Sequence, residues 1–250
     1  MIEVLVVGAA GRMGSLVTET IAKQDDMRSA ALVDPAFGST AQPPRFAVLD
    51  AALAARKPDV AIEFSVPASV FDNTRRLLAA GVPTVVGATG LDDEMAGELA
   101  RSAAEHGVGL LIVPNFALGA VLLMQFARQA ARLFGRAEVI ELHQESKIDA
   151  PSGTALRTAK LMADEPGSAI VPGGRDGTSR GVDLEGVRIH SVRLPGLVAH
   201  QEVLFGGEGE VLTLRHDCTS LECFMAGVML AVRKIGSLKE TVVGLENILD

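Results

Sequence analysis

Tryptophan and tyrosine are absent from this 250-residue chain, and phenylalanine supplies all of its aromatic rings. Stacking on nucleic-acid bases is therefore a poor fit. No run of lysine or arginine exceeds two residues, and 31 acids against 23 bases give a formal net charge of −8. That excludes a basic patch tracking phosphates. Cysteine is scarce. Cys218 and Cys223 stand five apart, which makes neither a metal set nor a disulfide framework. Their scarcity fits a reducing compartment, and both are expected as core or helix-edge residues. No apolar stretch reaches the 18 residues of a membrane span. The opening MIEVLVVGAAGRMG lacks a basic leader, and glycines interrupt its apolar run, unlike a signal peptide. The expectation is a soluble, cytoplasmic protein with no metal site and no nucleic-acid or membrane partner.

Hydrophobic residues make up 48% of the chain, enough for one large core or two modest ones. Ile2 to Val7 reads as a buried parallel strand. It runs into Gly8-Ala9-Ala10-Gly11-Arg12-Met13-Gly14, followed by a stretch of helical period. Strand, glycine turn and helix are the parts of a dinucleotide site. Gly8 permits the turn, Gly11 lets the backbone approach a pyrophosphate, and Gly14 packs helix on strand. A second apolar run, Ala30 to Val33, ends at Asp34. A carboxylate there accepts from ribose hydroxyls and repels a 2′-phosphate, while Arg12 could serve that phosphate instead. NADH and NADPH both remain open.

The rhythm continues. Strands are expected at Val60–Phe64, Pro83–Val86 and Leu110–Val113, and helices at 51–56, 70–80 and 92–106. Alternating strands and helices indicate a doubly wound parallel sheet, α/β in class, with ligands beyond the carboxyl ends of its strands. The turns Gly87-Ala88-Thr89-Gly90 and Pro114-Asn115-Phe116 fall at such ends. A long helix spans 118–132, and irregular structure is expected over the glycine-rich stretch 164–185. Three β-like runs then follow, at 187–193, 200–205 and 210–217, with the alternation of a mixed or antiparallel sheet. This is a second, α+β domain. His190, His200 and His216 are expected to be structural or on the surface. A last helix covers 220–235.

The stretch with the most chemistry is Glu141–Ala155, ELHQESKIDAPSGTA. It closes a strand and opens a helix, with Asp149 a plausible N-cap and Pro151 in the first turn. A helix start offers free N–H groups and a positive dipole end to an anion. His143 and Lys147 precede it by a few residues, so an imidazole, an ammonium and a donor-rich helix start lie within a dozen positions. That set can hold a carboxylate and move a proton.

The string from His143 through Lys147 to Asp149-Ala-Pro-Ser-Gly-Thr-Ala resembles the signature of the dihydrodipicolinate reductase family, and the resemblance extends over most of the chain. It implies NAD(P)H-dependent reduction of 4-hydroxy-tetrahydrodipicolinate to tetrahydrodipicolinate in diaminopimelate and lysine biosynthesis. It assigns His143 as proton donor, Lys147 as second catalytic residue, and Gln144, Lys147, Ser152, Gly153 and Thr154 to a small dicarboxylate. For the cofactor it implies Gly8 to Met13, Asp34, Gly87, Ala88, Thr89, Pro114, Asn115 and Phe116. It also implies a dinucleotide domain over 1–117 completed by about 220–250, a substrate and oligomerisation domain over 118–219, and a homotetramer. Two positions depart from the family pattern. Ala88 replaces the commoner Thr, and Gln144 replaces the second of two adjacent histidines, removing a group that could become cationic. A paralogue acting on another cyclic imine and a non-enzymatic NAD(H)-binding protein are the other readings. The retained His143, Lys147 and Ser-Gly-Thr argue against the last.

Overall fold

The computed structural model describes residues 1–38, 44–171 and 179–249. It divides into two compact units. Unit one comprises Met1–Phe116 and Phe224–Asp250, and unit two is Ala117–Cys223.

Unit one carries β1 (Ile2–Val7), α1 (Arg12–Ile21), β2 (Met27–Val33), β3 (Arg45–Phe46), α2 (Leu49–Ala55), β4 (Val60–Glu63), α3 (Val70–Ala79), β5 (Thr84–Val86), α4 (Asp93–His106) and β6 (Leu110–Ile112). Unit two follows with α5 (Leu118–Ala131), β7 (Arg136–His143), α6 (Gly153–Ala163), β8 (Val182–Leu184), β9 (Val187–Arg193), β10 (Ala199–Gly207) and β11 (Glu210–Cys218). The chain then adds α7 (Met225–Ile235) and β12 (Thr241–Val243) to unit one.

The sheet of unit one has the order β12-β6-β5-β4-β1-β2-β3, and every pairing in it is parallel. The central strands are buried on both faces, as their unbroken Val, Leu, Ile and Ala runs require. Leu5, Val7, Ala31, Val33, Ala61 and Leu77 form one core cluster, and Val70, Leu78, Val86, Leu99 and Leu110 another. The strand order reverses beside β1, where β1 pairs with both β2 and β4. This is the place in a doubly wound sheet where ligand crevices form.

The sheet of unit two is mixed, in the order β11-β10-β7-β9-β8, with β7 parallel to β9 and the other pairs antiparallel. Alternate residues of β7, β9 and β10 (Ala137, Val139, Val187, Ile189, Val203 and Phe205) pack with Ala127, Ala131, Ala159 and Met162 of α5 and α6. Period 2 on the strands thus meets period 3.6 on the helices in one core.

Several expectations need correction. Cys218 and Cys223 are joined as a disulfide. The turn leaving β11 folds back through Leu221–Phe224 and brings their Cα atoms to 6.1 Å, so five residues of spacing close a small loop. The stretch 164–185 includes β8, a short edge strand on β9; its residues 172–178 lie outside the described ones, as do 39–43 of the loop after Asp34. The N-cap of α6 is Ser152, whose Oγ accepts the N–H of Ala155 at 3.3 Å, and the helix begins at Gly153. Asp149 instead pairs with Lys147.

Candidate functional site

In unit one, the turn after β1 is built around close backbone approach. Gly8 has φ +76°, and a Cβ there would lie 2.5 Å from the carbonyl of Phe64. At Gly14 a Cβ would lie 2.1 Å from the carbonyl oxygen of Gly8. Only glycine fits at either position. The N–H groups of Gly8 and Ala9 donate to Val33, and that of Ala10 donates to Asp34 Oδ2 at 3.0 Å. Asp34 Oδ1 accepts from Ala36 at 2.9 Å, so this carboxylate ties the glycine turn to the end of β2. Gly11 is the N-cap of α1, which has no side-chain cap. The amides of Arg12 and Met13 therefore open a helix whose positive end suits a pyrophosphate.

A cavity of about 480 Å³ lies against this turn, lined by Gly8, Gly11, Asp34, Phe64, Ser65, Asn73 and Arg76 among others. The structure thus brings the predicted Gly8, Gly11 and Asp34 to one pocket. It adds Ser65, just past an expected strand end, and Asn73 and Arg76, which carried no signal in the sequence. The glycine cradle and a carboxylate at the second strand end fit an adenine dinucleotide. Gly87 stands elsewhere in the unit. A Cβ on it would fall 2.3 Å from the ring of Phe64 and 2.6 Å from that of Phe116, and those rings lie 5.5 Å apart. Gly87, Phe64 and Phe116 therefore interlock the ends of β4, β5 and β6. Ala88 is half-buried beside them, Thr89 and Pro114 are exposed, and Asn115 is half-buried.

In unit two, His143 ends β7, the central strand of its sheet. Its Nδ1 lies 2.5 Å from Oε2 of Glu141, two residues earlier on the same face. Glu141 is completely buried and also takes a bidentate pair of 2.8 Å bonds from Arg193 and the N–H of Ser152 at 3.2 Å. Arg193 reaches further, to the carbonyls of Lys147 (3.3 Å) and Asp149 (2.6 Å). One buried carboxylate and one guanidinium therefore fix the histidine, the loop and the start of α6 together. Lys147 Nζ lies 2.7 Å from Asp149 Oδ1. Gln144, Glu145 and Ser146 are exposed, and Gly153 has open space around it.

The charges follow from these contacts. Burial works to raise Glu141, but hydrogen bonds from Arg193, Ser191 and His143 outweigh it and hold the carboxyl below its ordinary value. His143 is pushed down from 6.5, first by burial, with Lys147 and Arg193 adding to it and Glu141 opposing. Asp149 is held low by the Lys147 ammonium, with a contribution from the N–H of Gly153. An ionised Glu141 can only accept. Nδ1 of His143 therefore carries the proton that meets it, and Nε2 is the atom left for exchange. Among the described residues no group of three or more His, Cys, Asp or Glu side chains is placed to hold a metal ion. His190 bonds Glu138, and His200 bonds Asp217.

Residues 2–116 match the family model for dihydrodipicolinate reductase, N-terminus, and residues 119–249 match that for dihydrodipicolinate reductase, C-terminus. The chain belongs to the dihydrodipicolinate reductase family. It is 44% identical over 262 residues to the 4-hydroxy-tetrahydrodipicolinate reductase of Moorella thermoacetica, covering 100% of this chain and 98% of that one. It is 46% identical over 255 residues to the enzyme of the same name from Streptococcus pneumoniae, covering 99% of each. A dipicolinate-bound dihydrodipicolinate reductase from Paenisporosarcina sp. TG-14 has 38% identity and a TM-score of 0.89, with 100% of both chains covered. In this reductase the residues that sequence reading missed are Glu141 and Arg193. Their signal was a Glu sharing the face of Ala137 and Val139, and an Arg sharing that of Val187 and Ile189.

Proposed function

We propose that the two units divide the family reaction, unit one holding the dinucleotide and unit two holding and protonating the substrate. The reaction is the NAD(P)H-dependent reduction of 4-hydroxy-tetrahydrodipicolinate to tetrahydrodipicolinate, in which water is lost and a hydride and a proton are added. When bound, the reduced dinucleotide supplies the hydride.

The amides opening α1 and the cradle at Gly8 and Gly11 suit its pyrophosphate, and Asp34 suits an unphosphorylated ribose. NADH is therefore expected to bind at least as well as NADPH, by fluorescence titration of each. Gly87, Ala88, Thr89, Pro114, Asn115 and Phe116 complete the assignment, with Ala88 acting through its backbone.

In unit two, Gly153, Thr154 and the Ser152 cap present the start of α6 to a substrate carboxylate. Lys147 supplies the cation, and the incoming carboxylate must take the place of Asp149 at its ammonium. His143 delivers the proton from Nε2, while Glu141 keeps the ring in one orientation. The Glu141–His143 pair beside Lys147 carries this reading. The test is His143→Ala, assayed by NAD(P)H oxidation with the fresh aldol product of pyruvate and aspartate semialdehyde. Turnover should fall by about 10²- to 10⁴-fold, the range for a lost general acid, with NADH affinity unchanged. Unchanged kcat would end the mechanism.

Gln144 favours a second reading, a reductase of another cyclic imine. It is exposed and cannot become cationic. If Gln144 serves the same dicarboxylate, Gln144→His should lower KM below about pH 6.5, where imidazole is charged. For another imine it should leave activity unchanged or harm it. A cytoplasmic location and a homotetramer joined through unit two complete the proposal. The family's biosynthetic role supports the first, and the open sheet of unit two supports the second.

A further inference from the structure

Glu63, the last residue of β4, has no solvent exposure and joins two turns. Its carbonyl accepts the N–H groups of Gly87 at 3.0 Å and Ala88 at 3.1 Å, anchoring the turn after β5. Its Oε1 accepts the N–H of Ser65 at 2.7 Å, anchoring the turn after β4. The Ser65 hydroxyl is bonded by Ser69 at 3.0 Å and by the Asn73 amide at 3.3 Å. Ser65, Ser69 and Asn73 all line the cavity beside the glycine turn. The other oxygen, Oε2, is buried without a hydrogen-bond partner. A charged oxygen so placed costs far more than a neutral one.

Burial leads in pushing the Glu63 carboxyl from 4.5 up to about 7, opposed only by hydrogen bonds from Ser65 and Asn73. The charged groups on the elements packed around it do not enter. On α3, Asp72 pairs with Arg75 and Arg76 with Asp50; on α7, Arg233 pairs with Asp26, and Lys234 stands beside it; on β1, Glu3 pairs with Arg28. β5 carries no charge.

We propose that Glu63 is a protonation-dependent residue of the cofactor site. Its hydrogen bonds hold the turns after β4 and β5 in either state; as the neutral acid it brings no charge to the strand end that faces the dinucleotide, and as the buried carboxylate it opposes the pyrophosphate charge. The proposal rests on unit one being the dinucleotide unit. Linkage makes the effect reciprocal: if protonation favours binding, binding must take up a proton.

The experiment measures NADH affinity of the full chain by fluorescence from pH 6 to 8.5. Proton uptake is measured by calorimetry at pH 7.5 in buffers of different ionisation enthalpy. The expected result is a Kd rising roughly five- to tenfold across that range, the size of a modest coupling between sites, with net uptake of protons. In Glu63→Gln the Kd should stay near its low-pH value and the uptake should vanish. That variant also separates Glu63 from His106, the one histidine of unit one. A flat wild-type profile without proton uptake overturns the proposal while leaving unit one as the dinucleotide unit. So does a slope that persists in Glu63→Gln. Absence of NADH binding at every pH overturns both. If Glu63→Gln does not fold, His106→Ala decides: proton uptake that persists in it supports Glu63, and uptake lost with it overturns the proposal.

Discussion

At the scale of single residues, the candidate site of unit two depends on a carboxylate that touches no solvent. Glu141 faces Arg193, His143 and the amide of Ser152 at once, so replacing it strands a largely buried guanidinium. Glu141→Gln is expected to lower the stability of unit two by about 3–5 kcal/mol, the usual consequence of breaking a buried pair. Because the Glu141 carboxyl is held low in the fold, its contribution is complete above the unfolded value near 4.5 and is lost as pH falls through the lower folded value. Wild type should therefore lose stability on acidification where Glu141→Gln shows a smaller loss, by chemical denaturation at stepped pH. Turnover in the variant should fall by less than in His143→Ala, since the ring is misoriented but present. The downward push on His143 sets the pH response. The free enzyme's kcat/KM should decline as pH rises, with a midpoint below 6.5, because the neutral imidazole cannot donate. A midpoint above 7 would contradict the assignment of His143 as acid. His143 and Lys147 were visible in the sequence because they stand in a long, specific string. Glu141 showed only in sharing the face of Ala137 and Val139, and Glu63 not at all, because a carboxylate in a short apolar strand reads the same whether it faces water or a buried partner.

At the scale of elements, the βα rhythm of unit one was legible because each strand is an apolar run and each helix a separate period. The elements that escaped are the short ones at sheet edges: β3 with two residues, and β8 and β12 with three each. Alternation needs about four residues to declare itself. The polar end of β9 carried no signal of its task. Ser191 and Arg193 share the face of Val187 and Ile189 and serve the buried Glu141. The glycine turn after β1 was readable despite its unusual spacing, because strand and helix flank it. Gly14→Ala tests how tightly it is built. The new methyl carbon would stand 2.1 Å from one backbone oxygen and 2.7 Å from the Cα of Ala9, and backbone cannot give way as a flexible side chain does. NADH affinity should fall at least about tenfold, or 1.4 kcal/mol, while circular dichroism still reports a folded chain. Retained affinity would show that the turn has room to shift.

At the scale of the whole molecule, each unit closes its own core, and among the described residues the sheet of unit two has helices on one face only. The other face presents Ile140, Leu142, Leu204 and Val211 among charged neighbours, and Val211 is 70% exposed. Covering such a face with copies of itself would account for the apolar residues left there, and light scattering should give a mass near four chains. A monomer at micromolar concentration would remove that account. The pairing of β12 with β6 has a further consequence, for the order of synthesis. Six of the seven strands in the parallel sheet are synthesised before residue 113, yet β6 keeps an unpaired edge until 241–243 follow it. Unit two, made of one uninterrupted segment, is free to fold in the interval. For the time it takes to translate about 130 residues, the half-built nucleotide sheet holds out an edge to any neighbouring nascent chain. The last strand added is the one that withdraws it.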